Sequence, residues 1–251
     1  MTITTQLTPL SEVRADWLIV GLWEDAAPSP ALLALDAKLG NKLIRLRERG
    51  DITGEANELV HLLEPTGAAA ERLLVVGLGE QKTADRARLV DAAAAAARSV
   101  TGKKTKRLAF ALPEGYPGLS WQEMALLAGV GLLQGCQGPG LHQSEPKRFA
   151  PQELCLAAPP SAPEEDLRQG VRAADVEGRA VWLARELVNS PPSDLYPESF
   201  AERARKAAAA VGVACDILDE KQLATERMGA LLGVAQGSDR PPRLVVLRYQ
   251  K

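Results

Sequence analysis

Aromatic side chains are scarce in this chain, at 4% of residues, so large rings cannot dominate its interior. Alanine is abundant, which predicts a core built on leucine and valine and helices with alanine-rich surfaces. Cysteine is scarcer still: Cys136, Cys155 and Cys215 stand far apart, with no CxxC pair among them. That excludes a disulfide framework and predicts reduced, buried thiols in a cytoplasmic protein. The two histidines, His61 and His142, have no second histidine or cysteine at a metal-ligand spacing. There is no GxSxG elbow, so a hydrolase serine is not supported. A net charge of −2 gives no global pull toward nucleic acid or a membrane surface. The longest apolar stretch, Ala125–Leu133, is interrupted by Gly129 and Gly131 and is far short of the roughly 18 residues that span a bilayer. The first sixteen residues lack a basic start followed by an apolar run, which predicts no signal peptide.

What is present is an alternation of strand and helix signals. Trp17–Trp23 is a nearly continuous apolar run and reads as a buried strand. Leu32, Leu35, Leu39, Leu43 and Leu46 fall on one face of a predicted helix over Leu32–Arg49. Leu59–Leu63 and Leu73–Val76 read as strands, and Thr83 as the cap of a helix over Ala84–Val100. A strand over Arg107–Leu112, a helix over Trp121–Leu133 and a strand over Leu154–Ala158 follow. Ser161 and Glu164 form a capping box for a helix of about 26 residues ending near Val188, roughly 39 Å long and able to connect two domains. Asn189-Ser190-Pro191-Pro192 stops it, because a residue before proline avoids helical geometry. Beyond lie a helix over Pro197–Ala210, a strand over Val213–Leu218, a short helix over Asp219–Arg227, a small apolar segment over Gly229–Ala235 and a strand over Leu244–Tyr249. The pattern predicts an α/β fold: residues 1–158 as a first domain, 159–188 as linker and connecting helix, and 189–251 as a second domain too small to bury a core alone. That last domain reads as cut off, or as completed by another chain.

Individual motifs are weak. Gly77-Leu78-Gly79 after a strand invites a phosphate-loop reading, but no third glycine follows at the dinucleotide spacing. A strand-to-helix turn without ligand is the better reading. Lys103, Lys104, Lys106 and Arg107 form the one dense basic cluster, in a loop where charge is ordinarily solvated. Glu164-Glu165 and Asp219-Glu220 sit at helix starts, where they favour the macrodipole.

Three ordered blocks are specific. Ala184-Arg185-Glu186-Leu187-Val188-Asn189-Ser190-Pro191-Pro192 with Leu195-Tyr196-Pro197-Glu198, then Met228–Ser238, then Pro241-Pro242-Arg243-Leu244-Val245-Val246-Leu247 resemble the ARxLVNxPPxxLxP, MGxLLxVxxGS and PPRxxxLxY signatures of the leucyl (cytosol) aminopeptidase family. Upstream, Asp16–Leu22, Arg72–Gly79 and Ala125–Gly135 follow the order of that family's N-terminal domain.

The resemblance implies a macro-like N-terminal domain and an enzyme that removes N-terminal residues from peptides. It also implies two divalent metals, manganese or zinc, and a cytoplasmic homo-oligomer, a hexamer. Two metals a few ångströms apart activate a bridging water and polarise the scissile carbonyl. The family's metal ligands lie in TFDSGG-like and NTDAEGR-like blocks and in a lysine preceding the first. Neither block occurs in residues 1–251, so no catalytic, cofactor-binding or metal residue is assigned and the chain is expected to be inactive alone. His61, Asp219 and Glu220 are not substitutes. Nucleic-acid and membrane partners are not expected. The alternatives are a non-enzymatic macro-like module binding a nucleotide or DNA, and a regulatory partner that docks on a complete aminopeptidase.

Overall fold

Trp17–Trp23 forms β2, near the middle of a six-stranded sheet, and its side chains alternate between two cores. In a computed structural model, which describes residues 1–137, 144–145 and 147–250, the sheet comprises β1 (Thr2–Leu7), β2, β3 (Leu59–Leu63), β4 (Arg72–Gly79), β5 (Arg107–Ala111) and β6 (Glu153–Ala158). The strand order is β1-β6-β5-β2-β4-β3. All neighbours are parallel except β3, which runs antiparallel to β4 at one edge. Trp17, Ile19 and Trp23 face one way with Leu74, Leu108, Phe110 and Leu154. Leu18, Val20 and Leu22 face the other with Leu73, Val75, Ala109 and Cys155. Both faces are covered, as a parallel sheet requires.

α1 (Pro30–Lys38) and α2 (Lys42–Glu48) cover the second face. They are not the single helix that the leucine spacing predicts. Gly40 and Asn41 adopt left-handed conformations, at φ 68° and 57°, and break the helix. The Asp36 carboxylate then accepts from Leu43 N (2.7 Å) and Ile44 N (3.1 Å), starting α2 from within α1.

The first face is covered by α3 (Arg86–Val100), α4 (Trp121–Cys136) and the start of α5 (Glu164–Asn189). Asp85, not Thr83, caps α3, accepting from Arg88 N at 2.9 Å. The alanines of α3 are interior, against the expectation of an alanine-rich surface: Ala92, Ala93, Ala96 and Ala97 are fully buried. Gly131 and Gly135 of α4 explain this. A Cβ at either would stand 2.4 Å from a carbonyl oxygen of α3, that of Val90 or of Ala94, so the helices meet where glycine on α4 faces the alanine methyl groups of α3. On the other side of α4, Leu167, Gly170, Ala174 and Gly178 of α5 are buried, and Trp182 Nε1 donates to Leu133 O at 2.9 Å.

β1 carries no apolar run and was not predicted. Its Thr4 hydroxyl donates to the Glu153 carboxylate at 2.6 Å as it pairs with β6.

The chain divides into two compact units, Met1–Leu183 and Ala184–Lys251, so the division falls inside α5. The second unit holds α6 (Pro197–Ala210), β7 (Ala214–Leu218), α7 (Glu220–Thr225), α8 (Gly229–Ala235) and β8 (Leu244–Arg248). β7 and β8 form an antiparallel two-stranded sheet. Only Ala201, Ala208 and Leu223 are buried apolar residues among its described residues.

Candidate functional site

In the first unit the structure gives each weak motif a place. Gly77, Leu78 and Gly79 lie in β4, not in a loop. A Cβ at Gly77 would fall 1.8 Å from Glu55 O, so the missing side chain admits the 54–58 segment alongside. Gly77 N donates to Glu58 O at 2.9 Å and Gly79 N to Gly54 O at 2.8 Å. With those N–H groups already bonded, and Asp85 closing the start of α3, no phosphate cradle is formed here.

Open parallel sheets place ligands in the crevice outside the carboxyl ends of their strands. Here about 20 Å³ remains between β2, β5 and the start of α1, and a neighbouring cavity of about 220 Å³ is lined by Thr8, Ala31, Glu114 and Pro159. Glu114 lines the larger of the two, and its carboxylate accepts from Ala31 N at 2.9 Å in the first turn of α1, next to Ser29, whose hydroxyl accepts from Leu32 N at 3.3 Å. The position that a helix start offers to an anion is taken by the protein's own side chain. The Pro-Glu-Gly-Tyr loop that carries Glu114 holds no local signal for this role.

The basic cluster divides in two. Lys106 N and Arg107 N both donate to the Asp16 carboxylate. The Arg107 side chain turns inward to Arg14 O (2.8 Å), Gln6 Oε1 (2.9 Å) and Glu153 (3.3 Å), which makes it structural. Lys103 and Lys104 remain exposed and line an open groove with His61. His61 stands on edge strand β3, its Nε2 2.7 Å from Ser99 Oγ and its ring edge-on to Trp17. His142 lies outside the described residues.

The first and third blocks of the second unit are tied to one another. Arg243, in the third block, reaches Glu198 of the first at 2.5 Å and Glu220 at 2.6 Å. Arg240 stacks on Tyr196 of the first block at 4.1 Å from the ring centroid. Ser190 donates to Glu186 O at 2.8 Å, and Arg203 reaches the same glutamate at 3.5 Å. Asp219 caps α7, accepting from Lys221 N and Gln222 N. Glu164 and Glu165 pair with Arg168 one turn on. These carboxylates are consumed in caps and ion pairs.

All three thiols are free. Burial pushes the Cys136 thiol up to about 12. Burial also raises Cys155, opposed by the nearby Arg107 guanidinium. Neither suits a nucleophile. Among the described residues no three His, Cys, Asp or Glu side chains converge to hold a metal ion. The described residues therefore gather no donor set for a two-metal centre. No helix among them is long and apolar enough to cross a membrane.

Two family models match, both of the cytosol aminopeptidase family: its N-terminal domain over residues 19–136 and its catalytic domain over residues 182–251. The protein named probable cytosol aminopeptidase in Syntrophotalea carbinolica is 33% identical over all of this chain, which covers 51% of that relative. One from Geobacter is 35% identical over 93% of the chain and 47% of the relative. A mutant of tomato leucine aminopeptidase superposes with TM-score 0.83 at 27% identity, over 98% of this chain and 50% of that one. The bottromycin maturation enzyme BotP in complex with Mn gives TM-score 0.73 at 26% identity, over 94% and 45%. The chain thus spans about half the length of the curated relatives it matches.

Proposed function

The chain belongs to the cytosol aminopeptidase family, and from that premise we propose that it forms the front half of a metal-dependent leucyl-type aminopeptidase that releases N-terminal amino acids from peptides. The observation that carries this reading is the second unit, where the catalytic-domain family model matches residues 182–251. Within that match, the first and third signature blocks are joined through Arg243–Glu198, and Arg240, just before the third block, stacks on Tyr196 of the first. The solved relative in complex with Mn supports divalent metal as the family's cofactor. Two such ions supply a metal-bound water and a polarised carbonyl. Residues 1–251 carry neither the TFDSGG-like nor the NTDAEGR-like block, so their part is structural.

We assign residues 1–158 to a macro-like N-terminal domain, whose last sheet strand ends at Ala158. Residues 159–188 are the connecting segment and 189–251 the opening of the catalytic domain. The complete enzyme is placed in the cytoplasm as a hexamer.

The test is direct. The purified 251-residue chain should leave leucine p-nitroanilide intact with added manganese or zinc. Co-expression with a segment supplying the TFDSGG-like and NTDAEGR-like blocks should restore metal-dependent release of nitroaniline. Metal-dependent turnover by the 251-residue chain alone would overturn the structural role given to it.

A further inference from the structure

The amino ends of β2 and β4, the end of β3 and the turn after α3 surround a groove of about 590 Å³ that the aminopeptidase reading does not use. This volume is within the range of small-molecule sites, roughly 300–1,000 Å³. Three cations line it, Arg72, Lys103 and Lys104, and no carboxylate does. Lys103 and Lys104 are exposed and make no ion pair among the described residues. Lys104 only stands 5.9 Å from the ring of Phe149. Arg72 has one carboxylate neighbour, Glu71, at a loose 3.7 Å. The carboxyl end of α3 favours a cation beside it, but that partial charge does not neutralise three.

The rest of the groove is apolar or hydrogen-bonding. Leu63 is 64% exposed there. Trp17 is held nearly buried, with the Arg72 guanidinium 5.6 Å from its ring centroid and His61 edge-on at 5.4 Å. Arg72 and His61 are therefore positioned by an aromatic side chain rather than left free. Three like charges with a single loose counter-charge repel one another, and a bound anion relieves that repulsion.

We propose that this groove binds a small organic phosphate of nucleotide size. Its phosphates lie against Lys103, Lys104 and Arg72, and its flat apolar body lies on Leu63 and the Trp17–His61 edge. The site lies wholly in the first unit and accompanies the aminopeptidase reading without depending on it.

Calorimetric titration of the 251-residue chain with ADP and, separately, with inorganic tripolyphosphate at about 0.15 M salt tests it. ADP should bind with a Kd below about 1 mM and about tenfold or more tighter than tripolyphosphate. The double variant Lys103→Gln/Lys104→Gln, changed at two exposed positions, should weaken ADP about tenfold while its thermal midpoint stays where it was. Absence of heat with millimolar ADP would overturn the site. So would tripolyphosphate binding as tightly as ADP, which marks a patch of solvated charge, or ADP binding unchanged in the double variant.

Discussion

Cys136 sits against the close packing of α4, and its thiol stays protonated in the folded chain up to about 12. In the unfolded chain a thiol ionises near 8.5. The folded state thus keeps a proton that the unfolded state gives up. Stability is full below about pH 8.5 and falls as the pH rises toward the folded value. Tyr116, raised to about 12 by burial and by Asp85, adds to the fall above about pH 10. The denaturant midpoint should therefore drop between about pH 7.5 and pH 9.5, and drop less in Cys136→Ala. Ellman's reagent should label partly exposed Cys215 in the native chain, and buried Cys136 and Cys155 only after unfolding. Asp36 gives a second measurement at this scale. Its buried carboxylate caps α2 through two N–H groups, so Asp36→Ala should cost about 2 kcal/mol in urea denaturation. Neither Asp36 nor Glu114 was legible in the sequence, because each accepts from backbone groups that the fold brings to it.

At the scale of elements, the apolar strands were legible because both faces of a parallel sheet are buried and the residues say so continuously, as in Trp17–Trp23 and Leu73–Val76. β1 was not, since Thr2, Thr4, Thr5 and Gln6 satisfy an edge position by hydrogen bonding rather than by burial. The leucines at 32, 35, 39, 43 and 46 signalled a helical face correctly. Their spacing could not register that Gly40 and Asn41 turn left-handed between two helices. The alanines of α3 misled for a related reason: a methyl group is indifferent to burial until the opposite helix is known to carry glycine. That interface makes a sharp prediction. Gly131→Ala and Gly135→Ala each place a methyl 2.4 Å from a backbone oxygen, which a rigid helix pair cannot yield cheaply. Each should lower stability by about 1–3 kcal/mol, read from thermal or urea unfolding, although alanine is the better helix former.

For the whole molecule, the asymmetry between units matters most. Residues 1–183 carry two cores on either side of one sheet. Residues 184–251 bury only three apolar side chains among those described, and leave Leu247 and Tyr249 more than half exposed. Too little surface is removed from water there to offset chain entropy. An excised fragment of residues 1–183 should unfold cooperatively with a sigmoidal melt. Residues 184–251 alone should show weak circular dichroism and no cooperative transition. A cooperative melt for the smaller fragment would overturn this assignment of stability. The family signature was the most legible feature of the sequence, yet it falls in the less stable unit. Signature residues such as Arg243 and Glu198 are ion-paired to one another rather than packed in a core.

The two-stranded sheet of β7 and β8 has a further consequence, in time rather than energy. An amide in β2 or β4, sealed between two cores, can trade its hydrogen for deuterium only when the whole sheet comes apart. The amides of β7 and β8 are released by a local opening that costs far less. In heavy water the molecule should therefore keep two clocks, with the second unit labelled while the first is still silent. The same openings would present β7 and β8 to a protease long before the six-stranded sheet becomes visible to it.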